Sequence, residues 1–151
     1  VTLTIVTSGN LSNEIINITS YTGNPTNASL SVLGLGRYII IDGSSALLGN
    51  LSYVILSMGY TDEEITNLNL NESTLGFYWY NSTVSEWQGL NSSISWMTSW
   101  VYENGVNTTA NFVWANVSHF SIYTIGEITR LSLFNVLLSE GWNLISLPLN
   151  I

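Results

Sequence analysis

The chain has 151 residues, enough for one domain or for one domain with a terminal extension. Hydrophobic residues make up 46% of it and charged residues only 8%, against about 25% in ordinary soluble domains. With Arg37 and Arg130 as its two basic residues and a net charge of −8, it lacks the positive footprint that nucleic acids or anionic lipid headgroups require.

Residues 1–7 alternate apolar side chains with Thr and stop at Ser8, Gly9 and Asn10, which predicts a strand and a turn. Residues 30–33 predict a short strand, and residues 37–41 a further one running into the turn at Asp42, Gly43 and Ser44. In residues 51–58, Leu51, Tyr53 and Ile55 share one face and Ser52, Val54 and Leu56 the other. Both faces are largely apolar, which predicts a central strand. Asp62, Glu63, Glu64 and Ile65 predict a single helical turn, followed by a polar loop through Asn67, Asn69 and Asn71 and a strand over 75–80. Asn81, Ser82 and Thr83 then turn the chain toward Trp87. Residues 99–102 and 110–117 predict a hairpin whose turn holds Asn104-Gly105, a strong hairpin signal. Residues 120–125 alternate cleanly and end at Gly126.

Seven to nine short strands with frequent turn signals and no helical periodicity predict an all-β fold, an antiparallel Ig-like β-sandwich over residues 1–126. Residues 127–151 carry two more apolar sections, 131–138 and 142–147. They are expected to be a strand extension or the start of a following β-module. No stretch approaches the roughly 18 apolar residues of a membrane helix, so no membrane insertion is expected in this segment. The start at Val1 carries no initiator Met, basic n-region or apolar h-region, so a mature or excised piece is expected, with any signal peptide or anchor outside it. The absence of cysteine excludes disulfides, thiolate metal ligands and a thiol nucleophile.

Asn-X-Ser/Thr occurs at Asn10, Asn17, Asn27, Asn50, Asn71, Asn81, Asn91, Asn107 and Asn116. These nine sequons are about twice the roughly four that the Asn, Ser and Thr content gives by chance. Local turn chemistry explains some enrichment. N-linked glycosylation of an exported, cell-surface protein explains it better, because most of these positions fall in turns or at strand ends.

The run from Tyr60 through Asp62, Glu63 and Glu64 is followed by Asn71, Phe77, Tyr78, Trp79 and Trp87. Val113, Trp114, Val117, Ser118, His119, Phe120 and Tyr123 complete the pattern. Over roughly residues 20–126 these motifs resemble a β-sandwich domain of large archaeal secreted, S-layer-like surface glycoproteins. Gly141, Trp142, Asn143, Leu144, Ile145, Ser146, Leu147 and Pro148 resemble the opening of another β-module found in the same proteins. The resemblance implies an extracellular location and β-module neighbours. It carries no catalytic residues.

Candidate chemistry is sparse. His119, the one histidine, has Ser118 and Ser121 nearby as potential nucleophiles, but strand alternation turns Ser118 away and sets Ser121 about 6–7 Å along the strand. A structural histidine bonding backbone is expected, and no enzyme. Asp62, Glu63 and Glu64 are a weak Ca²⁺ candidate, but they match no EF-hand spacing and suit a helix N-terminus better. No other cofactor is expected besides N-linked glycans. Trp79, Trp87 and Trp114 are expected between the sheets, and Trp96 and Trp100 on an exposed, glycan-stacking surface. Strands at 1–7 and 131–138 without hairpin partners suggest β-strand donation between copies, giving a filament, pilus or lattice. A bead of a multidomain adhesin is the alternative.

Overall fold

A computed structural model describes residues 1–128. The predicted segments 131–138 and 142–147 lie outside the described residues. Nine strands form among them: β1 (Thr2–Thr7), β2 (Ile16–Tyr21), β3 (Gly34–Gly43), β4 (Leu51–Gly59), β5 (Leu75–Asn81), β6 (Glu86–Gly89), β7 (Val101–Asn107), β8 (Phe112–Val117) and β9 (Ile122–Glu127). Two short helices, α1 (Ser45–Asn50) and α2 (Asp62–Asn67), and a 3₁₀ turn at Glu72–Thr74 join them. All strand pairs are antiparallel, in a four-stranded sheet ordered β1-β4-β8-β7 and a five-stranded sheet ordered β2-β3-β9-β5-β6. The fold is the expected all-β sandwich, and β4 is central in its sheet.

Alternation explains the packing. Val54, Leu56 and Met58 of β4 and Val113, Ala115 and Val117 of β8 are buried against Ile39 and Ile41 of β3, Phe77 of β5, and Tyr123 and Ile125 of β9. Such a row stabilises the fold by about 1.5–3 kcal/mol for each fully buried side chain. A second apolar layer lies on the outer face of the five-stranded sheet. There Tyr38, Tyr78 and Trp87 are covered by Ala28, Leu30, Val32 and Ile128, and the Trp87 indole N–H donates to the Ala28 carbonyl at 3.2 Å.

Several expectations are corrected. Residues 30–33 form no strand, because Leu30 and Val32 cover this outer face instead of joining a ladder. The Asn104-Gly105 pair lies inside β7, and the turn falls between Asn107 and Phe112. Gly105 opposes Trp114, whose indole lies 3.2 Å from where a Cβ at Gly105 would stand. Asn107 meanwhile accepts from the Thr109 and Ala110 N–H groups, and Asn111 takes φ 52°. Trp87 and Trp114 do not pack between the sheets. Trp87 pairs with Tyr80 on the outer face, and Trp114 faces outward beside Gly105.

The connections set up the site. Both β1 and β9 have their outer chain ends at one pole, where Thr2 opposes Ser57 and Gly34 opposes Gly126. At this pole the Arg37 guanidinium donates to the Gly59 carbonyl across the two sheets. The opposite pole holds α1 and the β1–β2 connection, tied by Ser8 N–H to Asn50 and Ser44 N–H to Ile15. Residues 90–100 run from β6 to β7 along one side of the sandwich, inserting Leu90 and Met97 into the core.

Candidate functional site

The two sides of the sandwich differ. The 90–100 strap crosses the side between edge strands β6 and β7, burying Leu90 and Met97 at 0% and 1% exposed, beside a cavity of about 340 Å³ lined by Leu75, Leu90, Asn91, Gly105 and Val106 among others. Between edge strands β1 and β2 no described segment takes that place, since their connection stays at the pole with α1. The apolar residues facing this gap are therefore only half covered. Leu3 and Ile5 oppose buried Leu56 and Val54, and so point inward from β1. Ile18 opposes Ile41 and also points inward, yet it is 48% exposed, and Ile16 beside it is 38% exposed. Every residue of β2 is exposed. Near the pole where β1 begins and β9 ends, a cavity of about 280 Å³ is lined by Val1, Tyr21, Arg37, Tyr38 and Met58, among others.

Edge strands carry a free row of backbone N–H and C=O groups, so a second chain can extend the sheet. Strand β1 is not spare, because it pairs with β4 over Thr2 to Thr7. Its backbone partner is supplied by its own chain, and only its outer edge remains free. The alternation of Ile16 and Ile18 with Asn17 and Thr19 is the sequence signal of β2, a strand not among the expected elements.

His119 lies at the pole with α1, wedged between aromatic rings. Its ring centre is 4.4 Å from that of Trp100 and 5.5 Å from that of Trp79, both in edge contact. Burial lowers its pKa, which favours the neutral ring. Its carbonyl, rather than its ring, makes the backbone-level bond, accepting from the Tyr123 hydroxyl at 2.9 Å. Ser118 donates its N–H to Trp100, and the Ser121 hydroxyl lies 3.5 Å from the Tyr80 carbonyl. The ring thus meets indole edges where a triad would place a hydroxyl and a carboxylate.

Trp100 is half-buried in this cluster, 4.8 Å from Trp79, rather than standing exposed as expected. Trp96 is 52% exposed. Asp62, Glu63 and Glu64 occupy the first turn of α2, whose Thr61 cap forms a reciprocal capping box with Glu64. The carboxylates diverge: Glu64 also lies 3.3 Å from Arg37, and Asp62 accepts from Asn111 at 2.6 Å. Among the described residues no three His, Cys, Asp or Glu side chains come together as a metal site.

All nine sequon asparagines fall within the described residues. Asn10, Asn17, Asn27, Asn71 and Asn107 are exposed, and Asn50, Asn81, Asn91 and Asn116 are partly covered. Asn81, Asn91 and Asn107 accept from backbone N–H groups two residues on, which is the turn chemistry expected of Asn. Asn116 stands in mid-strand on β8, its side-chain oxygen buried without a partner. No family model, curated protein or solved structure matches this chain.

Proposed function

We propose that this chain is a non-catalytic structural subunit of an extracellular, archaeal-type surface assembly, N-glycosylated and built by β-strand donation between copies. The observation that carries this reading is a sandwich strapped on one side and left with half-exposed Ile16 and Ile18 on the other, in a chain that continues with the apolar residues 131–138. Such a contact is head-to-tail and propagates into a filament or array. The sequon excess supports an exported surface, and the shortage of charge suits a subunit that meets other protein.

The test is the assembly state of the full chain, measured by light scattering and electron microscopy. The wild type is expected to polymerise with rising concentration, and Leu133→Asp with Val136→Asp to leave folded monomers. A wild type that stays monomeric, or a doubly charged variant that polymerises equally, overturns the reading. The exposed Trp96 favours one alternative, a glycan-binding adhesin bead. Glycan-array binding lost in Trp96→Ala would replace the assembly reading with that one.

A further inference from the structure

We infer that the acceptor is the open seam between β1 and β2, and that it takes residues 131–138 of a second copy of this chain, never its own. This rests on the strand-donation reading above and gives it a site and a direction.

Three observations select the seam. First, β2 is bonded only to β3, and its inward-facing Ile16 and Ile18 are 38% and 48% exposed, so a strand laid along β2 covers apolar surface that the isolated fold leaves in water. The opposite edges, β6 and β7, are bridged by the strap and offer no such row. Second, the dimensions agree. Laid out as a strand, residues 131–138 would span roughly 26 Å at about 3.3 Å per residue, enough to follow all of β2 at roughly 20 Å. In that conformation Leu131, Leu133 and Leu137 share one side and Phe134, Val136 and Leu138 the other, so either face presented to the seam is apolar. Third, the seam is free of sequons on its inner row. Asn17 is the one sequon on β1 or β2, and its pairing with Asp42 sets it on the face opposite Ile16 and Ile18. A glycan there is compatible with an occupied seam.

Reach decides between self and neighbour. Ile128 lies over Gly76 of β5 and Gly89 of β6. Its backbone directly follows β9, and a strand added outside β2 stands three sheet positions from β9, roughly 14 Å at about 4.8 Å each. The three steps from Ile128 to Leu131 cover at most roughly 11 Å when fully extended. With the whole of residues 131–138 laid along β2, Leu131 therefore falls short of the seam of its own copy, and the full contact is made in trans.

The chain has no cysteine, so introduced thiols report without background. The experiment uses full-length chain carrying Ile18→Cys together with a single cysteine at each position from 131 to 138 in turn, under mild oxidation. A parallel series carries Gln88→Cys on β6. Reducible ladders of dimer, trimer and higher species are expected for Ile18→Cys with at least one tail position, and none for Gln88→Cys. Ladders confined to Gln88→Cys would leave strand donation standing and overturn the seam. Cross-links found only within monomers would overturn assignment to a neighbour. Polymers that form no cross-link in either series would overturn the seam and donation together. A second variant, Ile18→Asp, keeps a half-exposed position on the surface and leaves the melting transition of the monomer in place. It is expected to raise the concentration needed for assembly by roughly tenfold or more, and an unchanged assembly curve refutes the proposal.

Discussion

Met97→Ala tests whether the strap is part of the core. Met97 is 1% exposed, while its neighbour Trp96 is 52% exposed, so adjacent residues of one Ser-rich segment have opposite environments. Truncating a buried Met to Ala costs about 2–5 kcal/mol, the higher values applying where the surroundings cannot close in. Here Met97 is held at both ends: its N–H donates to Ile94 at 2.9 Å, and its carbonyl accepts from Val101 at 2.8 Å. Leu90 anchors the strap's start by donating to Phe77 at 2.8 Å. Collapse of the site is therefore limited, and a loss of about 3 kcal/mol is expected, or roughly 10 °C in melting temperature for a chain of this size. Urea unfolding followed by circular dichroism measures it, with Trp96→Ala alongside at about 0.5 kcal/mol or less. A Met97→Ala loss under about 1 kcal/mol, or an equal loss for Trp96→Ala, refutes the view of the strap as a core-filling closure.

Gly34→Ala places a Cβ 2.6 Å from the Ile125 carbonyl oxygen, a backbone atom that cannot step aside, so a loss of about 1–3 kcal/mol is expected in the same assay. Thr61→Ala removes the α2 cap and is expected to cost about 1 kcal/mol, with hydrogen exchange rising first at Glu64. Peptide mass spectrometry of native material is expected to find glycan at exposed Asn10, Asn27 and Asn71 and none at Asn116; an occupied Asn116 contradicts its place on the sheet face. His119 has a lowered pKa from burial, so between that value and the ordinary ~6.5 the unfolded chain binds more protons than the folded one. Stability should thus fall as pH drops through this window and level off below it. His119→Gln should lack that step, and a wild type whose urea midpoint ignores this window refutes the burial of the ring.

The sandwich was legible because its strands alternate where alternation matters. Val54 and Leu56 on one face with Leu51, Tyr53 and Ile55 on the other predicted a central strand, and Asp62, Glu63 and Glu64 marked the first turn of α2. The errors have one origin, which is that partners decide what local pattern leaves open. Asn104-Gly105 is a strong turn signal, yet Trp114 covers Gly105 and Asn111 accepts the left-handed turn residue instead. Residues 30–33 look like a strand, but the apolar surface they cover belongs to Tyr38, Tyr78 and Trp87. Trp100 appeared free within a Ser-rich stretch because its burial depends on Trp79 and His119, distant in sequence. The seam was illegible for a related reason: a gap is a property of two edges, and neither β1 nor β2 alone announces it.

Edge protection connects the seam to the unusual surface. Soluble β-proteins commonly guard free edges with lysines or inward charges. This chain has two basic residues in all, and β1 offers only Thr between its apolar positions. Sequons instead lie beside the edges: Asn10 follows β1, Asn17 is on β2, Asn91 follows β6, and Asn107 ends β7. Glycans at these positions would block lateral pairing by bulk where other proteins use charge, and bulk acts only on the face it occupies. On β2 that face is the outer one, shared by Asn17 and Asp42, while Ile16 and Ile18 on the inner side stay clear. On the proposed reading, glycans that discourage indiscriminate pairing would thus leave one apolar row accessible, the condition a strand-accepting subunit would have to meet to polymerise in a single register.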